Sequence, residues 1–169
     1  MGVGVRRDLS GSGFLGRIQG LKRRSRKVTP IEQLNTSQSV AERRVQRLLL
    51  DAINCTQSDD FYQYFDHFTP DAVWMMPAKR HDVTLSEAKQ FYRFTDKFRF
   101  EQQVTINEVQ VFEHRGFARL SFDGYLIAKR DVSAPPIRSV SRHLWLFAEN
   151  PEGQWLLTRD IWNNPSSAN

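Results

Sequence analysis

The sequence predicts an α+β fold with helices packed on one face of a sheet. Three observations carry this. Ser39 with Glu42 and Thr84 with Glu87 have capping-box spacing, and each pair opens a stretch whose apolar residues recur at the helical period. From Val104 onward, apolar and polar residues alternate as in half-buried strands. The chain then closes on SVSRHLWLFAENPEGQWLLTRDIWN, residues 139–163, where two runs rich in aromatic and aliphatic residues flank a turn punctuated by Pro151 and Gly153. Helices first and an antiparallel meander after them is the order of an α+β domain.

Taken in order, residues 1–36 form a basic N-terminal extension. Within residues 1–30, Arg6, Arg7, Arg17, Lys22, Arg23, Arg24, Arg26 and Lys27 face a single acid, Asp8, so the chain's formal charge of +5 originates in this segment. The rest of the chain is slightly acidic. Rich in Gly and Ser and without apolar periodicity, residues 1–36 are expected to be mostly disordered. They read as a solvated extension or a misread start, as an organelle presequence, or as a weak site for nucleic acid or anionic lipid at Lys22 to Lys27. The folded domain is expected over 37–165, with 166–169 as a tail.

Ser39 to about Thr56 is the first helix, with Ala41, Val45, Leu48, Leu49, Ala52 and Ile53 as its apolar stripe. Ser58-Asp59-Asp60 caps a short second helix whose inner face is Phe61, Tyr64, Phe65 and Phe68; His67 suits its surface C-terminal end. Thr69-Pro70-Asp71 ends it, and Ala72 to Met76 is a short strand closed by Pro77. The Thr84 helix carries Leu85, Ala88, Phe91, Tyr92, Thr95 and Phe98 on one side, a stripe read as core. Val104 and Ile106 alternate in one phase and Val109 and Val111 in the other, which predicts a bulge near Asn107-Glu108. After a turn at Glu113–Gly116, Ala118, Leu120 and Phe122 share the face of Val109 and Val111, and Arg119, Ser121, Asp123 and Tyr125 take the other. The loop Lys129–Pro136 leaves Asp123 and Tyr125 unplaced relative to His143.

The closing hairpin gives the candidate site. With a loop of two or four residues, Glu149 faces Gln154, Trp145 faces Thr158, and His143 faces Asp160. Directly opposed side chains lie about 4.5–5.5 Å apart at Cβ. An imidazole beside a carboxylate, with Trp145 and Phe147 on the same face, follows. Leu144, Leu146, Ala148, Trp155, Leu157 and Arg159 are expected on the opposite face, apolar enough to predict a homodimer through it. A loop of odd length breaks this register.

Several classes lack support. No apolar run approaches the roughly 18 residues of a membrane span, so a cytoplasmic protein is expected, or an organelle protein if the basic segment is a presequence. Cys55 is the lone cysteine, and the four histidines have no ligand spacing, so no metal is expected. No glycine-rich nucleotide motif is present, no cofactor is expected, and nucleic acid is an improbable partner for the folded body.

Phe68-Thr69-Pro70-Asp71-Ala72-Val73-Trp74 after an aromatic helix, Asp123-Gly124-Tyr125, and the closing Gly153-Gln154-Trp155-Leu156-Leu157-Thr158-Arg159-Asp160-Ile161-Trp162-Asn163 resemble the SnoaL-like branch of the nuclear transport factor 2-like superfamily, over about residues 38–165. The resemblance implies a cone-shaped arrangement in which helices pack on a strongly curved mixed or antiparallel sheet around an apolar pocket. It implies polyketide cyclases, ketosteroid isomerases, dehydratases and epoxide hydrolases as relatives, together with non-catalytic binding proteins. Ketosteroid isomerases carry a carboxylate base where this chain is similar in having Met76 before Pro77, and a tyrosine donor where it has Ala52. Both differences argue against steroid isomerisation. The family's second carboxylic acid lies nearest His143, and positions matching Thr158, Asp160 and Trp162 line its pocket.

His143 and Asp160 are therefore the candidate catalytic residues, and Trp74, Met76, Trp145, Thr158 and Trp162 the candidate ligand contacts, for a small, partly apolar molecule. An oriented imidazole can take a proton α to a carbonyl and return it. The same pair can also do no more than satisfy itself inside the core, which leaves a ligand-binding or dimerisation module as the alternative.

Overall fold

The computed structural model of the chain describes residues 39–131 and 133–165. The expectations for residues 1–36 and for the tail 166–169 lie outside the described residues. The elements are α1 (Val40–Thr56), a 3-10 helix (Phe61–His67), β1 (Phe68–Met75), β2 (Val83–Thr84), α2 (Leu85–Phe91), a second 3-10 helix (Tyr92–Asp96), β3 (Phe98–Phe112), β4 (Arg115–Ala128), β5 (Ile137–Glu149) and β6 (Trp155–Asn163).

Both capping boxes form. Ser39 Oγ accepts from the Glu42 amide at 3.1 Å while Glu42 Oε2 accepts from the Ser39 amide at 2.7 Å. Thr84 and Glu87 repeat the arrangement at the start of α2. Each cap supplies acceptors to helix N–H groups that have no partner within the helix. The α1 stripe Val45, Leu48, Leu49, Ala52 and Ile53 is buried, as the period requires. The middle segment differs from its reading. Phe61–His67 is a 3-10 helix without a side-chain cap, because the Asp60 carboxylate accepts instead from the Gln63 side-chain Nε2 at 2.9 Å. His67 is not a surface cap either; it is half-buried, with Nε2 3.5 Å from Cys55 Sγ.

The six strands form one open sheet in the order β2-β1-β6-β5-β4-β3. All neighbours are antiparallel except β1 and β6, which run parallel, so the sheet is mixed. The β3 bulge falls between Ile106 and Glu108, at the change of phase, and Ala118, Leu120 and Phe122 of β4 are buried on the helix side. Asp123 and Tyr125 face away from the helices, with Asp123 ion-paired to Arg138 and Tyr125 exposed.

The β5–β6 hairpin corrects the expected register twice. Five residues, Asn150 to Gln154, form the loop, and Glu149 pairs with Trp155. Asn150 holds the loop shut: its Oδ1 accepts from the Gln154 amide at 2.8 Å, and its backbone amide donates to Gln154 O at 2.8 Å. Gly153 sits at φ +77°, in the left-handed region that suits glycine. The odd loop shifts the pairing by one residue and would turn β6 over. A second shift follows: Phe147 pairs with Leu157 but Leu146 pairs with Arg159, so Thr158 is an extra, bulged residue. Two one-residue shifts restore the face beyond the bulge. Asp160 thus keeps its side but stands opposite Trp145, and His143 stands opposite Trp162. Before the bulge the expected faces are reversed. Trp155 and Leu157 are core residues, 6% and 0% exposed, and do not share the outer face of Leu144 and Leu146.

Candidate functional site

His143 and Asp160 are diagonal neighbours on the inner face, not a directly opposed pair. Diagonal Cβ atoms lie somewhat closer than about 7–8 Å, within reach of long side chains. The imidazole crosses that gap, and its Nδ1 lies 2.7 Å from Asp160 Oδ1. Asp160 is 0% exposed, and its other oxygen accepts from the Tyr64 hydroxyl at 3.0 Å. A buried carboxylate is costly unless it is hydrogen-bonded; here each oxygen has one donor. Burial, and next the Asp160 charge, push the Tyr64 hydroxyl well above the usual phenol range, so it stays a donor. An ionised Asp160 can only accept, so it selects the tautomer in which Nδ1 carries the ring proton and Nε2 is left as the acceptor.

Aromatic packing fixes the ring. Trp162 stacks on His143 at 5.7 Å and 13°, and Phe122 lies over it at 4.7 Å. Nε2 points to Ser141 Oγ, 2.9 Å away, two residues back on the same face of β5. The order along the network is thus Ser141, His143, Asp160, Tyr64, drawn from β5, β6 and the first 3-10 helix.

This network borders a cavity of about 150 Å³ under the helices. Its walls are mainly aromatic: Phe61, Tyr64, Phe91, Tyr92, Phe94, Phe100, Phe122 and Trp162, with Leu126. The polar wall is Thr56, Gln102, Ser139, Ser141, His143 and Asn164. Gln102 Nε2 donates to Ser139 O at 3.2 Å and Ser139 Oγ at 3.1 Å, which ties β3 to β5 at the polar side. A cavity of this size holds one benzene-sized ring.

Of the residues expected to touch a ligand, Trp162 lines this cavity. Trp74 and Trp145 are 0% exposed and sit behind the wall, packed against Phe65, Phe68 and Tyr64. Met76 borders a separate, more open depression with Pro77, Lys79 and His81, which meets the cavity residues only at Trp162. Thr158 is the bulge, and its hydroxyl donates to Leu146 O at 3.3 Å. The helix aromatics Phe91 and Tyr92, expected as core alone, also form cavity wall, together with Phe94. Tyr64, expected as core alone, and Ser141 were not among the expected site residues. Tyr64 lies 96 positions from Asp160, and a serine on a strand carries no pattern. The alternation through Ser139, Ser141 and His143 was the available signal. Among the described residues no group of His, Cys, Asp or Glu could hold a metal ion.

No protein-family model and no curated protein matches the chain. Solved structures do match it. A ketosteroid isomerase-like protein from Erwinia carotovora atroseptica superposes with TM-score 0.61 at 19% identity, covering 73% of this chain and 96% of that one. A nuclear transport factor 2-like superfamily protein from Salmonella enterica serovar Typhimurium gives 0.59 at 9% identity, with 76% and 94% covered. A candidate scytalone dehydratase from Novosphingobium aromaticivorans gives 0.58 at 13%, with 73% and 83% covered. At these identities the likeness is one of fold alone, helices packed on a mixed six-stranded sheet. The chain has the nuclear transport factor 2-like fold.

Proposed function

We propose that this chain binds a small, partly apolar molecule in the aromatic cavity and that His143, oriented by Asp160, transfers a proton on it, in an isomerase-, cyclase- or lyase-type reaction that needs neither metal nor organic cofactor. One observation carries the reading. The imidazole turns Nδ1 to a sealed carboxylate and Nε2 to Ser141 on the cavity wall. Such a base, with a partner that stabilises the imidazolium it becomes, contributes about 10²–10⁴-fold. Resemblance to the SnoaL-like branch supports a pocket His–Asp pair used for proton transfer. Steroid isomerisation is disfavoured on size as well as on residues, since the cavity takes about one ring.

The alternative is a binding module without turnover. It is favoured by one contact: Ser141 already occupies Nε2, so the imidazole is satisfied without a ligand. The experiment separates the two. Acetophenone and phenylacetone are screened by thermal shift and then incubated in D2O, with deuterium incorporation α to the carbonyl followed by NMR. Catalysis predicts exchange that disappears in His143→Ala while the thermal shift survives. Binding without exchange in the native protein supports the module, and no binding by any single-ring carbonyl compound sinks the pocket reading.

We also propose that two copies pair through the outer sheet face. Leu144 pairs with Ile161 there and Ile161 with Met75, while Leu146 pairs with Phe117, giving a continuous apolar area with Met75 42% exposed.

A further inference from the structure

The nitrogen that would act as base is capped by a hydroxyl. Ser141 Oγ lies 2.9 Å from His143 Nε2, and His143 Nδ1 lies 2.7 Å from the fully buried Asp160. With Nδ1 protonated, Nε2 offers a lone pair and the serine hydroxyl is the donor into it. A hydroxyl, an imidazole that can take its proton, and a carboxylate that fixes the imidazole's tautomer form the order that activates a serine, recognised by geometry and not by position in the chain. Both Ser141 and His143 border the cavity.

We propose that Ser141 is a nucleophile and that the cavity hydrolyses small carboxylic esters whose acyl or alcohol part is a single ring. This goes beyond the proton-transfer reading: it uses the same His143–Asp160 pair but forms a covalent intermediate. Ser141 Oγ attacks the ester carbonyl carbon as its proton passes to His143 Nε2. The tetrahedral oxyanion collapses, the carbonyl–oxygen bond to the alcohol breaks, and the departing alkoxide takes the proton from Nε2. Water then attacks the acyl-serine, gives a proton to Nε2, and the carboxylic acid leaves as Ser141 regains its hydrogen. Asp160 stays a carboxylate throughout, held on its second oxygen by Tyr64.

The surroundings suit this sequence. Trp162 stacks on the imidazole and Phe122 packs against it, so the base does not need to be reoriented between the two proton transfers. The Ser139 hydroxyl, whose oxygen accepts from Gln102, belongs to the same cavity wall and is the donor offered to the oxyanion. The aromatic wall supplies the apolar end of the substrate site.

The test uses the full chain and two probes. A fluorophosphonate is expected to add once, at Ser141, as located by peptide mass mapping, and to fail in His143→Ala. Phenyl acetate is expected to be hydrolysed, with Ser141→Ala slower by about 10²-fold or more at an unchanged melting temperature. Ser141→Cys should accumulate an acetyl thioester visible in the intact mass, which keeps the test open if the alanine variant folds poorly. An unlabelled Ser141 in folded protein, or hydrolysis by Ser141→Ala at the native rate, overturns the proposal. The α-proton exchange assay reads the other function separately: adduct without exchange leaves the nucleophile alone, and exchange without adduct leaves His143 acting directly.

Discussion

Replacing Tyr64 by Phe deletes one oxygen and keeps the ring. The ring's packing against Phe68 at 4.8 Å and Trp145 at 5.8 Å is untouched, so cavity formation contributes little. What is lost is the donor to Asp160 Oδ2, at 3.0 Å, on a carboxylate with no exposure. A hydrogen bond to a charged group contributes about 1.5–3 kcal/mol, and here the acceptor is left bare in a dry interior, which points to the upper part of that range. For a domain of this size each kcal/mol moves the melting temperature by about 3–5 °C, so Tyr64→Phe should melt about 6–15 °C lower. Urea unfolding at neutral pH is the assay, because an unchanged slope shows that the native and unfolded surfaces are the same in both proteins. A loss under about 0.5 kcal/mol at unchanged slope would refute the reasoning, since no buried ionised carboxylate could give up a donor so cheaply. The same variant should lower turnover less than His143→Ala does, because Tyr64 acts on the reacting groups only through Asp160.

Asp160→Asn can still meet both neighbours, its amide oxygen accepting from His143 and its NH2 donating to the Tyr64 oxygen, and should unfold within about 1.5 kcal/mol of the native protein while losing turnover; Asp160→Ala strands both donors and should cost about 3–5 kcal/mol by denaturant titration. Burial pulls the His67 imidazole below its ordinary range, with Asp51 and Asp66 opposing. A depressed folded value means stability that is fully present above the unfolded value of about 6.5 and is lost as pH falls through the folded one. Melting temperatures at pH 7.5 and 5.5 should therefore differ more for the native protein than for His67→Gln. Leu144→Glu, on the outer face, should leave folding intact and halve the mass seen by light scattering; a native mass of one chain at tens of micromolar would sink the dimer.

The fold was legible where a local rule decides. Ser39-x-x-Glu42 and Thr84-x-x-Glu87 each form with their own residues alone, so their spacing suffices. The change of phase between Ile106 and Val109 marks the β3 bulge for the same reason. The site was legible only in part, because face and partner are separate questions. Alternation keeps His143 and Asp160 on one side whatever even shift is applied, so their meeting could be anticipated. Their true partners, Trp162 and Trp145, depend on a five-residue loop and an extra Thr158 that hydrophobic pattern does not record. Trp155 and Leu157 were misassigned for that reason. The parallel pairing of β1 with β6 joins segments remote in sequence, and with it come the burial of Trp74 and the exclusion of Met76 from the cavity. Tyr64 reaches Asp160 by the same long-range docking. Ser141 is small and polar, and only its neighbours give it meaning.

The extra residue at Thr158 also bears on how sequences of this fold can be compared. Phe147 and Leu146 are consecutive on β5, yet their partners Leu157 and Arg159 are not. A related chain with a regular ladder there would have one residue fewer. Matched without a gap, it would align either with the core pair Trp155 and Leu157 or with the site pair Asp160 and Trp162, never with both. Half of the strand's signal would then be scored against residues of the opposite face. A gap placed at Thr158 aligns both halves, and profiles built with it should recover distant relatives through their closing strand that ungapped comparison misses.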